Sequence, residues 1–253
     1  MSTPKSWVQA DATPGTPRMR LFCLPHAGGG ASFYRGWQMH MPQDVQVCRI
    51  QPPGRENRIG ELAYRHMTVL VAELAAQLQP WLDQPFALFG HSMGSVVAYE
   101  LACALQRAGS APAHLWVSAC RAPHIADTRQ IHHLPQAEFF AALGARGGTP
   151  GSVLNNSDYM AMMEPVLRAD LALIERWHRT TWQPLPCPVT ALAATDDGVT
   201  PLDAVEAWRP YTHARFELHR FTGGHFYLSD PALSVPALVG RALAAHMNQE
   251  SIA

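Results

Sequence analysis

The residues with the clearest chemical meaning are five in a row, Gly90-His91-Ser92-Met93-Gly94, a G-x-S-x-G pattern directly behind the apolar run 86–89 and ahead of a helical stretch. A serine on a tight strand-to-helix turn has strained backbone. The flanking glycines permit close approach, and the hydroxyl stands exposed at the carboxyl end of a sheet. The helix amino terminus behind it favours negative charge. Such a serine needs a base, because its hydroxyl is too weakly acidic to attack unaided at neutral pH. Of the thirteen histidines, His225 in Gly223-Gly224-His225-Phe226 is the one whose position fits. It follows a strand-like run ending at Phe221, sits on a flexible glycine turn and precedes the final helix, so its loop can lean over the sheet edge towards Ser92.

A third group must hold the imidazole in the right tautomer and stabilise its cation. Asp196 and Asp197 follow the run Val189–Ala194, which gives the order Ser, Asp, His expected of an α/β-hydrolase. Either can serve. Asp196 is preferred because it follows the small-residue turn most directly, which leaves Asp197 as a solvated neighbour, while Asp230 with Pro231 reads as a cap of the last helix. The oxyanion of a tetrahedral intermediate needs two backbone donors. The amide of Met93 is one, and the loop Pro25-His26-Ala27-Gly28-Gly29-Gly30 supplies the other, with Ala27 as the choice. That glycine triplet lacks both G-x-G-x-x-G and the Gly-Lys-Ser/Thr of a P-loop, so no nucleotide is implied. His132-His133 is not H-E-x-x-H, and His26 and His91 read as residues that orient backbone or line the entrance. No metal and no cofactor are implied.

The elements that must carry these groups alternate along the chain. Met19–Leu24 and Val45–Ile50 read as buried parallel strands, separated by a helical run over 31–41. A helix over 66–81, the strand 86–89, a helix from about Ser92 and a strand over 115–119 follow. After an irregular, helical stretch over 121–184, the alternation resumes with Val189–Ala194, a helix over 202–209, Phe216–Phe221 and a last helix over 232–247. This rhythm predicts an α/β-hydrolase fold, with a mostly parallel sheet flanked by helices. Its core would span 18–120 and 185–253, the helical insertion 121–184 would form a lid, and 1–17 would be a flexible lead-in. Within the insertion, Gly144, Gly147, Gly148, Pro150 and Gly151 interrupt two helical pieces, and Phe139, Phe140, Leu143, Met160, Met162 and Met163 offer adaptable apolar surface.

Composition agrees with an enzyme of this kind. The chain has 253 residues, 47% hydrophobic and 15% charged, too apolar for disorder. Nineteen Lys plus Arg against twenty Asp plus Glu give a net charge of −1, which removes the electrostatic footprint of general nucleic-acid binding. Five scattered cysteines without a C-x-x-C pair read as reduced, packed residues. No signal peptide or membrane span is evident, so a cytoplasmic protein is expected.

In five places the sequence resembles the type II thioesterases, the free-standing α/β-hydrolases that accompany polyketide synthases and non-ribosomal peptide synthetases. These are Leu24-Pro25-His26-Ala27-Gly28-Gly29, Gln51-Pro52-Pro53-Gly54-Arg55-Glu56-Asn57-Arg58, Phe89-Gly90-His91-Ser92-Met93-Gly94, Leu167-Arg168-Ala169-Asp170 and Gly223-Gly224-His225-Phe226. The resemblance implies hydrolysis of acyl groups from the phosphopantetheine arm of an acyl or peptidyl carrier protein, with no cofactor of the enzyme's own. It assigns the triad Ser92, Asp196 and His225 and the oxyanion amides Ala27 and Met93, and it implies a monomer that meets its carrier transiently. The chain departs from the family's common pattern at Ala193, where glycine is usual, and at Asp197, where proline is. Arg55, Arg58 and Arg168 are placed either to meet an acidic carrier or to pair internally with Glu56 or Asp170. A carrier-to-carrier acyltransferase and a general carboxylester hydrolase would use the same triad, and a non-catalytic binding module of this fold is the rival from another class.

Overall fold

The computed structural model describes residues 6–146, 151–181 and 183–250. Seven strands, β1 (Val8–Ala10), β2 (Met19–Leu24), β3 (Val45–Ile50), β4 (Phe86–His91), β5 (His114–Ser118), β6 (Val189–Ala194) and β7 (Phe216–Phe221), form one sheet in the order β1-β3-β2-β4-β5-β6-β7. Only β1 is antiparallel to its neighbour. The helices are α1 (Met67–Leu78), α2 (Met93–Arg107), α3 (Gln136–Ala145), α4 (Gly151–Leu154), α5 (Ser157–Glu175), α6 (Leu202–Glu206) and α7 (Val235–Glu250).

Strands β2, β4, β5 and β6 are buried along their whole length, which is why they read as continuous apolar runs. Alternation still sorts their side chains. Phe22 and Leu24 join Leu74, Leu78, Val97 and Leu101 of α1 and α2 on one face. Leu21 and Cys23 join Val235, Val239 and Leu243 of α7 on the other. All five cysteines are buried and unbridged, and burial pushes the thiols of Cys48, Cys120 and Cys187 up to about 12.

Register positions the chemistry. Cys23 pairs with Phe89 and Leu24 with Gly90, so the glycine-rich loop after β2 and the turn after β4 leave the sheet side by side. Ala194 pairs with Phe221, so the Asp196–Asp197 loop and the His225 loop also leave together.

Four expectations change. The run 31–41 is two short 3-10 turns, Ala31–Tyr34 and Trp37–His40, because Gly36 between them has φ +86° and cannot continue a helix. The lead-in contains β1, whose Trp7 and Val8 are buried; Trp7 packs on Tyr64 and takes the Arg58 guanidinium over its ring at 4.5 Å. Three residues are too few to show alternation, and Trp7 was the one visible signal. Residues 1–5 of the lead-in lie outside the described residues. The last helix begins at Val235, since Asp230 caps a separate 3-10 turn, Pro231–Leu233, and Ser234 then takes φ +50°. Finally, β4 runs on to His91, so the serine follows the strand immediately. Between β5 and β6 lie α3, α4 and α5, and Gly147, Gly148 and Pro150 fall outside the described residues.

Helix α7 is seated by a close contact: a Cβ on Gly240 would stand 2.1 Å from the His40 carbonyl oxygen. Glycine to alanine inside a helix normally gains about 1 kcal/mol in propensity. Here overpacking against backbone, typically about 1–3 kcal/mol and more where backbone must shift, opposes it. Gly240→Ala should therefore lower the unfolding free energy in urea titration, and an unchanged or raised midpoint would show that α7 is free to move.

Candidate active site

Ser92 takes φ +53° and ψ −119°, outside the wells that non-glycine residues favour, and the surrounding chain holds it there. Its amide donates to the Ser118 carbonyl at 2.8 Å, and Ser95 Oγ donates to the Gly90 and Ser118 carbonyls at 2.8 and 3.0 Å. The glycines on either side are sterically required. A Cβ on Gly90 would lie 2.2 Å from the Gly94 oxygen, and one on Gly94 would lie 2.1 Å from that of Leu24.

The turn carries Ser92 Oγ to 3.0 Å from His225 Nε2, and His225 Nδ1 lies 2.8 Å from Asp197 Oδ2. The acid facing the imidazole is therefore Asp197, in place of Asp196. Asp196 is spent on the turn: its amide donates to the Gly223 carbonyl, and its exposed carboxylate accepts from Thr195 Oγ1 and the Gly223 amide at 3.1 and 3.2 Å. The Asp197 side chain is 1% exposed, and its Oδ1 accepts from the amides of Val199 and Thr200 at 2.8 and 3.1 Å. That Asx turn was visible as Asp197-Gly198-Val199-Thr200 and marks the anchored carboxylate.

Beside Ser92, Met93 opens α2, and Ala27 sits in the loop after β2. Among the described residues neither amide is bonded to a protein acceptor. The loop is braced from two sides. Gly28, at φ +77°, donates its amide to Asp170 Oδ2 on α5 at 2.8 Å, and the Ala31 amide donates to Gln51 Oε1 at 2.8 Å. Asp170 is in turn paired with Arg55, both nearly fully buried, and Arg55 donates to the Pro53 carbonyl while Gln51 Nε2 donates to that of Arg55. The Gln51 to Arg58 stretch is thus the frame of the glycine loop. Of the three arginines considered as carrier contacts, only Arg55 takes a partner expected for internal pairing; the other two pair internally with other carboxylates, and Glu56 accepts from Ser32 instead. Arg55 faces Asp170, Arg58 pairs with Glu61, and Arg168 pairs with Glu164 and lies 4.1 Å over the Phe139 ring.

Two further histidines pack around the site. His91 is fully buried, with Nδ1 2.9 Å from Ser118 Oγ, which bonds the Tyr227 hydroxyl at 2.6 Å. His26 packs edge-on to Phe33 and Phe226 at 4.5 and 4.7 Å. Burial holds the pKa of His91 well below the ordinary value and that of His26 down at about 3, and repulsion from His225 adds to both. Both rings are neutral at pH 7.

Two cavities meet at Ser92. One of about 80 Å³ is lined by Ala27, Leu143, Leu167, Leu171 and Phe226; the other, of about 60 Å³, extends past Met93. A groove of about 510 Å³ lies outside them, between the glycine loop and Tyr159, Met162 and Met163 of α5. Phe139, Leu143 and Met160 pack with Ile131 and Leu171 in a small core of their own, so only part of the expected apolar surface faces open space. The described residues contain no group of side chains able to hold a metal ion.

Residues 19–242 match the model of the thioesterase domain family. The chain belongs to the thioesterase family. It is 37% identical over 250 residues to the protein named linear gramicidin dehydrogenase LgrE of Brevibacillus parabrevis, covering 97% of this chain and 95% of that one. It is 36% identical over 226 residues to thioesterase PikA5 of Streptomyces venezuelae, covering 88% and 80%. Among solved structures it resembles the type II thioesterase BorB from the borrelidin biosynthetic cluster, with TM-score 0.83, 32% identity and coverage of 96% and 99%. This thioesterase is a hydrolase of the α/β-hydrolase fold acting on thioesters.

The geometry separates the two aspartates experimentally. Asp197→Asn leaves His225 in the wrong tautomer and should lower kcat by roughly 10⁴-fold, whereas Asp196→Asn, which touches only the turn, should change it by less than about tenfold. Equal losses in steady-state assays would overturn the assignment. The buried histidines fix a pH dependence. His26, His91 and His114 have folded pKa values depressed by burial, the first and third to about 3, so the unfolded chain binds protons that the folded chain refuses. Their contribution is complete above the unfolded value of about 6.5 and is lost as pH falls below it, by up to ~1.4 kcal/mol per pH unit for each ring. Unfolding free energy measured in urea should fall from pH 6.5 to 5, and a flat profile would contradict the buried neutral state.

Proposed function

We propose that this chain is an editing thioesterase that frees carrier proteins of polyketide or non-ribosomal peptide assembly from acyl groups held on their phosphopantetheine arm. The observation that carries the mechanism is the line Asp197, His225, Ser92, with the Ser92 hydroxyl raised on a turn beside two open amides. His225 Nε2 takes the hydroxyl proton as Ser92 Oγ attacks the thioester carbonyl. Negative charge develops on the carbonyl oxygen, and the amides of Ala27 and Met93 receive it. As the C–S bond breaks, the pantetheine sulfur leaves and takes the proton from His225, so the acyl group is now an ester of Ser92. Water then attacks this ester with His225 again accepting a proton. The acid departs, and the proton returns to Ser92 Oγ. Asp197 stays ionised throughout, holding Nδ1–H towards itself and stabilising the imidazolium.

The helical segment 121–184, with α3, α4 and α5, is read as a lid over the acyl group, and 18–120 with 185–253 as the hydrolase core. The partner is an acyl or peptidyl carrier protein met transiently in the cytoplasm. The enzyme needs no cofactor, since the substrate brings its own phosphopantetheine. No helix among the described residues is long and apolar enough to cross a membrane.

Ser92→Ala should reduce hydrolysis of an acyl-pantetheine thioester by about 10⁴-fold or more. Intact-mass spectrometry of the wild-type enzyme under rapid mixing should show an acyl adduct that the variant lacks. Near-wild-type turnover by the variant would remove Ser92 from the mechanism. Transfer of the acyl group to a second carrier, in place of release as free acid, would redefine the reaction as acyl exchange.

A further inference from the structure

The bonds that keep the three triad residues in line converge on the end of β5. The Ser118 carbonyl accepts from the Ser92 amide at 2.8 Å and from Ser95 Oγ at 3.0 Å, and the Ser118 amide donates to Ser95 Oγ at 3.0 Å. This backbone fixes the nucleophile turn. The next carbonyl, of Ala119, accepts from Thr200 Oγ1 at 3.2 Å, and the Thr200 amide is one of the two that hold Asp197. The Ser118 side chain reaches the loop of the base. Its hydroxyl lies 2.6 Å from the Tyr227 hydroxyl and 2.9 Å from His91 Nδ1, and all three side chains are buried. His91 and Ser118 are register partners on β4 and β5, so their side chains share one face of the sheet. Ser118 follows Leu115, Trp116 and Val117, all buried, where an unpaired hydroxyl would be costly. One proton for each contact satisfies the chain if Tyr227 donates to Ser118 and Ser118 donates to the neutral His91 ring.

The His225 loop is held on either side of the histidine. Before it, Gly223, at φ +113°, exchanges hydrogen bonds with Asp196. After it, Tyr227 opens the 3-10 turn Tyr227–Ser229, stacks on Phe221 at 5.2 Å and ends on Ser118. Among the described residues His225 itself enters no backbone–backbone hydrogen bond. Resting on the triad and reaction given above, we propose that Ser118 is a positioning residue: with Tyr227 and His91, its hydroxyl fixes the His225 loop against the same strand end whose backbone holds Ser92, and so sets the distance between base and nucleophile. Such alignment matters, because a misplacement of about 1 Å can slow a reaction by about 10²-fold. Alanine at position 118 would keep every backbone bond of the nucleophile turn and remove the one partner that Tyr227 and His91 share. The base would then shift while the serine stays in place.

The test separates reactivity from folding. A fluorophosphonate labels an activated serine covalently, so in the full-length enzyme the amplitude of labelling counts folded molecules and the rate reports the alignment of His225 with Ser92. Tyr227→Phe, which keeps the ring, should label to full amplitude about tenfold more slowly, and Ser118→Ala should be slowed about tenfold or more. The kcat for an acyl-pantetheine should fall by similar factors with KM changed by less than about threefold, because both acyl transfers use the same base. With Ser118 as the shared partner, adding Tyr227→Phe to Ser118→Ala should slow labelling by less than about twofold further, in place of the further tenfold or so that independent sites would give. Labelling of the folded variants at the wild-type rate, whatever their thermal stability, would overturn the proposal, as would multiplicative losses in the double variant. If Ser118→Ala does not fold, Tyr227→Phe alone decides. Wild-type enzyme that takes the fluorophosphonate and cleaves no acyl-pantetheine would overturn the proposed reaction and leave the positioning role intact, and wild-type enzyme that does neither would overturn both.

Discussion

The constraint on which the site depends is the approach of the first turn of α2 to the end of β2. Gly94 lies so close to the Leu24 and Pro25 carbonyls that no side chain fits between them. This contact brings the turn holding Ser92 and Met93 against the loop that leads to Ala27. It exists because β2 and β4 are adjacent and in register through Leu24 and Gly90, so that both chains leave the sheet at the same height. Ser92 takes its positive φ at this junction, where β4 ends at His91 and α2 begins at Met93. The Ser92 turn and the loop that carries Ala27 are therefore held together by a single packing requirement.

Charge is organised around that point by burial and pairing. Asp197 is almost inaccessible, and its carboxylate is satisfied by two amides and the imidazole. His26 and His91 are neutral rings near His225, so they add no positive charge beside its imidazole. The two cavities beside Ser92 share Arg146, Ile174 and Val199; the first adds Leu143, Leu167, Leu171 and Phe226, and the second adds Arg121, Asp127 and Arg129 from the segment that follows β5.

Much of this was legible in the sequence, and the parts that were not share a cause. Strands β2, β4, β5 and β6 appear as apolar runs because burial on both faces leaves few polar positions, and Ser92, Met93, Ala27 and His225 sit in motifs whose spacing reflects local backbone geometry. The aspartate was misjudged because both candidates are adjacent, and the difference between them is which carboxylate the His225 loop covers, a matter of tertiary placement. The Asx turn from Asp197 to Thr200 was the local clue. The Arg55–Asp170 pair joins residues 115 positions apart; the sequence offers Asp170 as an internal partner, and which of the three arginines takes it is a matter of tertiary placement. Likewise Arg146, at the end of α3, meets Asp127 and Glu175 only in the folded chain.

The tie between Asp170 and Gly28 links movement to reactivity. Asp170 belongs to α5 and Gly28 to the loop that aims the Ala27 amide, so α5 cannot rise from the sheet without withdrawing the acceptor that holds this loop and parting Asp170 from Arg55. The seat of α5 and the shape of the glycine loop are therefore a single variable: any displacement of the helix is also a displacement of the loop beside Ser92.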